Sequence, residues 1–346
     1  MFPREKSSKA CRILGVEFAP LSMPMERRLQ TMALAFFFSS FMLTLFSIIP
    51  AFMYILIFTR FWYIPVLFAA WIFYDRNTPY QGGRKIYFLR NLRIWDYYRD
   101  YFPVGLVKTA ELPADKNYIF CVYPHGIVSA ASFLNFQSNA NNFDELFPGI
   151  DTRIVVLNSN FKIPIAREFY LAAGGIPATE QSMIYCLQSK PGASCVLMPG
   201  GAREALSSFP GQCSTILKNR RGFVRIALKT GSSLVPVYSF GENEIFDQIS
   251  GKWVTWLQNK LVSFLGLAPC LLKGRGFFQY SFGLLPHRRP IVTVVGKPID
   301  VPKDPNPSKE LIDEFHEKYE EALVELFDEN KEKFHPLGSK AALQIE

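Results

Sequence analysis

Between Thr31 and Tyr74 the chain is apolar almost without interruption, and Arg60 is the only charged residue in the run. A helix needs about 20 apolar residues to cross a bilayer core, so this run is long enough for two passes. Pro50 lies near the middle, where a turn would be wanted. The run is too long for a signal peptide and lacks a small-residue cleavage site. Arg4, Lys6, Lys9, Arg12, Arg27 and Arg28 precede it, and Arg76, Arg84, Lys85, Arg90 and Arg93 follow it. Positive charge on both flanks places both ends on the cytosolic side. The pattern predicts a cytosolic tail over residues 1–30, a two-helix membrane hairpin over 31–74 and a cytosolic domain over 75–346. The competing reading is a buried helix pair in a water-soluble protein. Arg60 would cost about 2.5–3.5 kcal/mol at a helix centre. It therefore snorkels, or the second leg is shallow and re-entrant, with Pro65 helping to break it.

Beyond Pro79–Gly83 the pattern changes to short apolar runs alternating with helical periodicity. The predicted strands are Tyr118–Tyr123, Ile154–Leu157, Ser194–Met198, Leu234–Tyr238 and Ile291–Val295, runs suited to a sheet covered on both faces. Helices are predicted over Ile165–Ala173, Gln181–Gln188, Gly222–Lys229 and Val254–Phe264. Such alternation argues for βα units and an α/β fold. The clearest helix is the last: Ser308 can cap it, and Phe315, Tyr319, Ala322, Leu323, Leu326 and Phe327 share one face. No internal repeat interrupts the domain, and Pro302–Pro307 is too short for a domain linker.

Composition sharpens this picture. Of 346 residues, 49% are hydrophobic and 32 are phenylalanine, and the mean hydropathy is +0.08, which points to a lipid surface. The net charge of +8 suits nucleic acid, anionic lipid or a phosphate-bearing small molecule, and the phenylalanine load favours the last two. Cys11, Cys121, Cys186, Cys195, Cys213 and Cys270 are widely spread with no CxxC pair, as expected of reduced thiols rather than a zinc site or a disulfide framework. No N-glycosylation sequon survives the proline exclusion, since Asn306 is followed by Pro307.

Three stretches carry candidate chemistry. GxSxG, HExxH, Walker A and GxGxxG patterns are absent, which leaves a histidine general base as the economical choice. His125 ends a strand in Tyr123-Pro124-His125-Gly126, where the glycine permits tight backbone geometry and free N–H groups at the next helix start could hold negative charge. A satisfied structural histidine is the alternative. In Val196–Leu206 a strand runs into Pro199-Gly200-Gly201 and delivers Arg203 and Glu204 at a helix start; Glu204 could orient His125 or contact substrate, or simply complement the helix dipole. In Leu217–Gly231, Lys218, Arg220 and Arg221 crowd a helix entrance and suit phosphates, unless they are merely solvated. The cluster is too short for a nucleic-acid stripe with stacking aromatics.

The blocks VYPHGIVSAASFLNF, PGGAREAL, NRRGFVRIALKTGSSLVPVYSFGENEIF, GRGFF and GLLPHRRPIVTVVGKPI resemble the signature blocks of the type-2 diacylglycerol acyltransferase family, in order from about Phe61 to Phe334. The resemblance implies a glycerolipid-acyltransferase-like mixed sheet covered by helices behind the membrane hairpin. It also implies an acyl-CoA-dependent O-acyltransferase of the endoplasmic reticulum and lipid-droplet surface, with both termini cytosolic. The family commonly has His-Pro-His-Gly, whereas this chain has Tyr123, so only His125 carries over as catalytic base, together with Glu204.

On that reading His125 accepts the hydroxyl proton and Glu204 holds the imidazole tautomer. Backbone N–H groups near Gly126 or in the Gly200–Gly201 turn supply the oxyanion donors, and Lys218, Arg220 and Arg221 receive the CoA phosphates. Tyr123, Pro124 and Gly126 complete the substrate-binding set, Tyr123 by packing or hydrogen bonding. The expected partners are acyl-CoA as co-substrate, a neutral lipid acceptor and the membrane, with neither cofactor nor metal nor nucleic acid, and with self-association left open. Diacylglycerol is the expected acceptor. Monoacylglycerol, a long-chain alcohol, or a non-catalytic lipid-droplet binding role remain alternatives.

Overall fold

The computed structural model of the protein describes residues 11–20, 22–249, 251–265 and 270–346, without the side chains of 11, 41–46, 252, 255, 259 and 262–265. Arg4, Lys6, Lys9 and the Cys11 thiol lie outside what is described.

Seven strands form the central sheet: β1 (Val104–Lys108), β2 (Tyr118–Tyr123), β3 (Asp151–Val156), β4 (Gly175–Pro177), β5 (Ala193–Leu197), β6 (Ser233–Phe240) and β7 (Ile291–Val295). Their spatial order is β1-β7-β6-β2-β5-β3-β4. All neighbours run parallel except β6 and β7, so the sheet is mixed, with β1 and β7 reversed relative to the rest. Every residue of β2, β6 and β7 is buried, as their largely apolar runs require of strands covered on both faces. Alternation along β2 divides the core: Ile119, Cys121 and Tyr123 join one cluster, and Tyr118, Phe120 and Val122 another on the opposite face.

The described α-helices of six or more residues are α1 (Met25–Phe58), α2 (Tyr63–Tyr74), α3 (Ile94–Tyr101), α4 (Ala130–Gln137), α5 (Ala166–Ala172), α6 (Glu180–Leu187), α7 (Gly201–Leu206), α8 (Gly222–Thr230), α9 (Lys252–Leu265) and α10 (Lys309–Phe334). The Ser308 hydroxyl caps α10 by accepting the Leu311 N–H at 3.1 Å, and Phe315, Tyr319, Leu323, Leu326 and Phe327 of that helix enter the core. Ala322 is half-buried at its edge.

The apolar N-terminal run folds differently from its pattern. The expected turn at Pro50 is absent, because Pro50 lies inside the 34-residue α1. The chain reverses instead at Thr59–Trp62. There the Thr59 hydroxyl donates to Ile55 O at 2.9 Å and accepts from the Phe61 N–H at 3.1 Å, a local alternative to continuing the helix. The α2 leg then packs back on α1, with the Phe52 and Phe68 rings 5.7 Å apart. Leu34 and Phe38, one turn apart on α1, are buried against Tyr98, Tyr101 and Phe102, so the start of the predicted hairpin is a wall of the domain. At 12 residues, about 18 Å, α2 is too short to cross a core of about 30 Å. Among the described residues, no helix is long and apolar enough to cross a membrane. The base of the hairpin is pinned to α5, where Glu168 accepts from Trp71 Nε1 at 3.1 Å and pairs with Arg84 at 2.5 Å.

Candidate active site

The three neighbouring parallel strands β5, β2 and β6 end at one edge of the sheet, where loops leaving an α/β sheet ordinarily build a site. The loop after β2 carries His125, the turn after β5 leads to Glu204, and β6 is followed by Gly241 and Glu242.

His125 is half-buried behind a cis Tyr123–Pro124 bond. Its Nδ1 lies 2.9 Å from the Gly126 carbonyl oxygen, which can only accept. Nδ1 therefore carries the proton, and the Nε2 lone pair is the basic one. Ser129, in the left-handed region at φ 50°, turns its hydroxyl back to donate to His125 O at 2.7 Å and to lie 3.3 Å from Nδ1. Burial lowers the imidazole pKa, partly opposed by the Gly126 contact, so the ring is neutral at pH 7.

Glu204 does not touch the ring. Its Oε2 accepts from the backbone N–H of His125 at 3.3 Å, so it supports the turn that carries the imidazole instead of setting the tautomer. Burial pushes its carboxyl up to about 8, and its Oε1 has no hydrogen-bond partner among the described residues. Gly200 leaves room for it, since a Cβ there would displace the Glu204 side chain.

The expected oxyanion donors are partly spoken for. Gly201 N–H donates to Met198 O at 3.1 Å, closing the turn after β5. The first free N–H groups of α4 are taken by Glu242, whose Oε1 accepts from Ala130 at 2.7 Å and Oε2 from Ala131 at 3.1 Å. Glu242 is itself buried, which pushes its carboxyl up to about 7. It also backs Gly126 (φ 62°), where a Cβ would come within 2.6 Å of Glu242 Cγ.

Tyr123 is fully buried in the core with Cys121 and Tyr238, and its hydroxyl has no partner among the described residues. Its part is packing, and it offers no substrate-facing surface. Pro124 is likewise buried. The basic cluster divides. Arg220 Nη2 donates to Gly200 O at 3.3 Å and so faces the site, while Lys218 is exposed beside it. Arg221 turns away to pair with Asp313 of α10 at 2.5 Å and to donate to Lys218 O.

Two side chains that brace the His125 loop escaped sequence reasoning, Ser129 and Glu242. For Glu242 the signal was an acid directly after a strand and a glycine, in Phe240-Gly241-Glu242.

The diacylglycerol acyltransferase family profile matches residues 54–345. Diacylglycerol O-acyltransferase 2 of Dictyostelium discoideum is 44% identical over 91% of this chain and 96% of its own length. The 2-acylglycerol O-acyltransferase 1 of Bos taurus is 42% identical over 93% and 97%, and diacylglycerol O-acyltransferase 2 of Homo sapiens is 42% identical over 89% and 81%. The solved 1-acyl-sn-glycerophosphate acyltransferase of Thermotoga maritima overlays 88% of this chain and 97% of its own at a TM-score of 0.42 and 12% identity, too slight a likeness to weigh. On the profile match and these identities, the chain belongs to the diacylglycerol acyltransferase family.

Proposed function

We propose that the protein transfers the acyl group of acyl-CoA to the free hydroxyl of diacylglycerol, giving triacylglycerol and CoA. Neutral His125 takes the hydroxyl proton at Nε2 as the oxygen attacks the thioester carbonyl. The C–O bond forms, the C–S bond breaks, and the proton passes to the departing thiolate. The observation that carries this reading is the Nδ1 contact to Gly126 O, which fixes the tautomer that leaves Nε2 basic. Arg220 and Lys218 receive the CoA phosphates at the Gly200 side of the base. Monoacylglycerol is a second acceptor to weigh, because the bovine 2-acylglycerol relative is as similar as the human diacylglycerol one.

The site works at a lipid surface on this reading. Ile57, Phe58, Trp62, Leu67 and Phe73 of the hairpin are 55–71% exposed, an apolar face far larger than water tolerates unpaired. It sits in the acyl region of the cytosolic leaflet of the endoplasmic reticulum, and of lipid droplets, with both termini cytosolic as the flanking arginines and lysines favour.

The test is a mass-spectrometric product assay with purified protein, oleoyl-CoA and diacylglycerol, monoacylglycerol or hexadecanol. Triacylglycerol should form, and His125→Ala should lower turnover by about 100-fold or more. Near-normal turnover in that variant would end the proposal. A different ester would reassign the acceptor.

A further inference from the structure

Beneath α1 lies a cavity of about 760 Å³, within the range of sites that bury whole small ligands. Phe36, Ile48 and Phe52 of α1, Phe133 of α4 and Phe169 of α5 line it. Walls of aromatic and aliphatic side chains suit an apolar occupant.

Two relationships say what that occupant is. The cavity and the base are served by opposite ends of one helix: His125 and Ser129 precede α4, while Phe133 and Gln137 further along it line the cavity. The eight residues of α4 span about 12 Å, a distance that a long acyl chain covers easily. The rings of Phe37, Trp95 and Phe133 pack together at 5.1–6.1 Å in its wall, and Phe37 and Trp95 rest on the same buried cluster as Ile127 and Val128 of the His125 loop. At its outer side Ile86, Ile165 and Phe169 are 46–49% exposed, so the mouth is apolar and adjoins the exposed hairpin. Arg220, which reaches Gly200 O, precedes α8, whose Phe223 and Val224 pack in the core cluster on the Cys121 face of β2, whereas Phe136 of α4 packs in the cluster on the opposite face.

We infer that this cavity receives the acyl chains of the neutral glyceride acceptor, which slides in sideways from the lipid phase past α1 and presents its hydroxyl to His125. The inference rests on the proposed reaction and adds where the acceptor binds. The thioester substrate must keep its phosphates in water beside Lys218 and Arg220, so it approaches the base from the opposite side.

The decisive experiment photolyses a diacylglycerol carrying a diazirine in one chain with the full chain in phosphatidylcholine vesicles, and maps the adducts by mass spectrometry. Adducts on the segments of Phe52, Phe133 and Phe169, displaced by excess diacylglycerol, are expected. Adducts confined to α2 and the outer face of α1, or not displaced, overturn the inference. His125→Ala protein should label in the same places, so the site is judged separately from the reaction. As a second measurement, Ala51→Trp and Ala173→Trp each fill the cavity. KM for diacylglycerol should rise about tenfold while KM for oleoyl-CoA stays within about twofold. A rise in KM for oleoyl-CoA alone would assign the cavity to the donor chain and overturn the inference.

Discussion

Glu204 holds the backbone N–H of His125, 79 residues away in sequence, and leaves the imidazole to Gly126 and Ser129. Its role is to fix the loop, and it does so mostly protonated at neutral pH, since burial pushes its carboxyl up to about 8. Glutamine is nearly isosteric with the protonated acid and keeps the acceptor oxygen. Glu204→Gln should therefore retain turnover within about tenfold, whereas Glu204→Ala should lose about 100-fold by loosening the turn. A steady-state comparison of the two variants at pH 7 checks this. Equal and complete loss in both would show that ionised Glu204 is required.

The same carboxyl makes stability depend on pH. In the unfolded chain Glu204 titrates near its ordinary value of 4.5, and in the folded chain near about 8. Between those values the folded state binds the extra proton, so stability falls as pH rises, and the contribution present below about 4.5 is lost by about 8. Melting temperatures taken across this window should decline more steeply for the parent protein than for Glu204→Gln. Parallel curves would refute the assignment.

Glu242 and Gly126 form the other support of the loop. Removing the carboxylate orphans the Ala130 and Ala131 N–H groups at the start of α4, and a buried cap of this kind is worth about 2 kcal/mol or more. Glu242→Ala should lower the denaturation midpoint and turnover together. Glu242→Gln, which keeps one acceptor, should fall between. Gly126→Ala meets both the left-handed φ and the Glu242 side chain, and should cost about 1–3 kcal/mol. Denaturant titrations of the three variants measure the order.

The central strands were legible because β2, β6 and β7 are buried on both faces and so are written as mostly apolar runs, broken only by small hydroxyl residues such as Ser239 and Thr293. Two strands of the sheet were not. Val104–Lys108 lies at one edge, half-buried, with a glycine and a terminal lysine, and Gly175–Pro177 is three residues long at the other. The first lacks the burial that leaves a pattern, and the second, though buried, is too short to show one. The hairpin was visible as an apolar run but its turn was misplaced, because a proline was weighed above the side-chain hydrogen bonds of Thr59 that end the helix. His125 and Glu204 were found because each follows a strand through a Pro-Gly punctuated turn. Glu242 acts across 112 residues on the start of α4, a partnership that only the closing of the sheet creates.

Arg220 and Arg221 are adjacent in sequence yet differently employed. Arg220 reaches Gly200 O at the site, whereas Arg221 is held by Asp313 on α10. Arg220→Ala should raise KM for oleoyl-CoA about tenfold, as loss of a guanidinium contact to phosphate would. Arg221→Ala gives up a partly exposed ion pair, worth little, and should change that KM by less than about threefold. Initial rates at varied oleoyl-CoA decide it, and the reverse order would move the phosphate site to the α10 side.

The pH profile of kcat/KM tests the base directly. Burial lowers the His125 pKa from its ordinary 6.5, so the neutral, active ring persists into mildly acidic solution. The rate should be level from pH 7 upward and fall only below 6.5, with one proton bound along that acid limb. Ser129→Ala removes the hydroxyl beside Nδ1 but leaves the Gly126 carbonyl that fixes the tautomer. It should cost less than about tenfold in rate without abolishing the limb. The limb should disappear from the residual activity of His125→Ala. An acid limb that stayed in place in that variant would belong to another group, with Glu242, raised to about 7 in the same loop support, the first to examine.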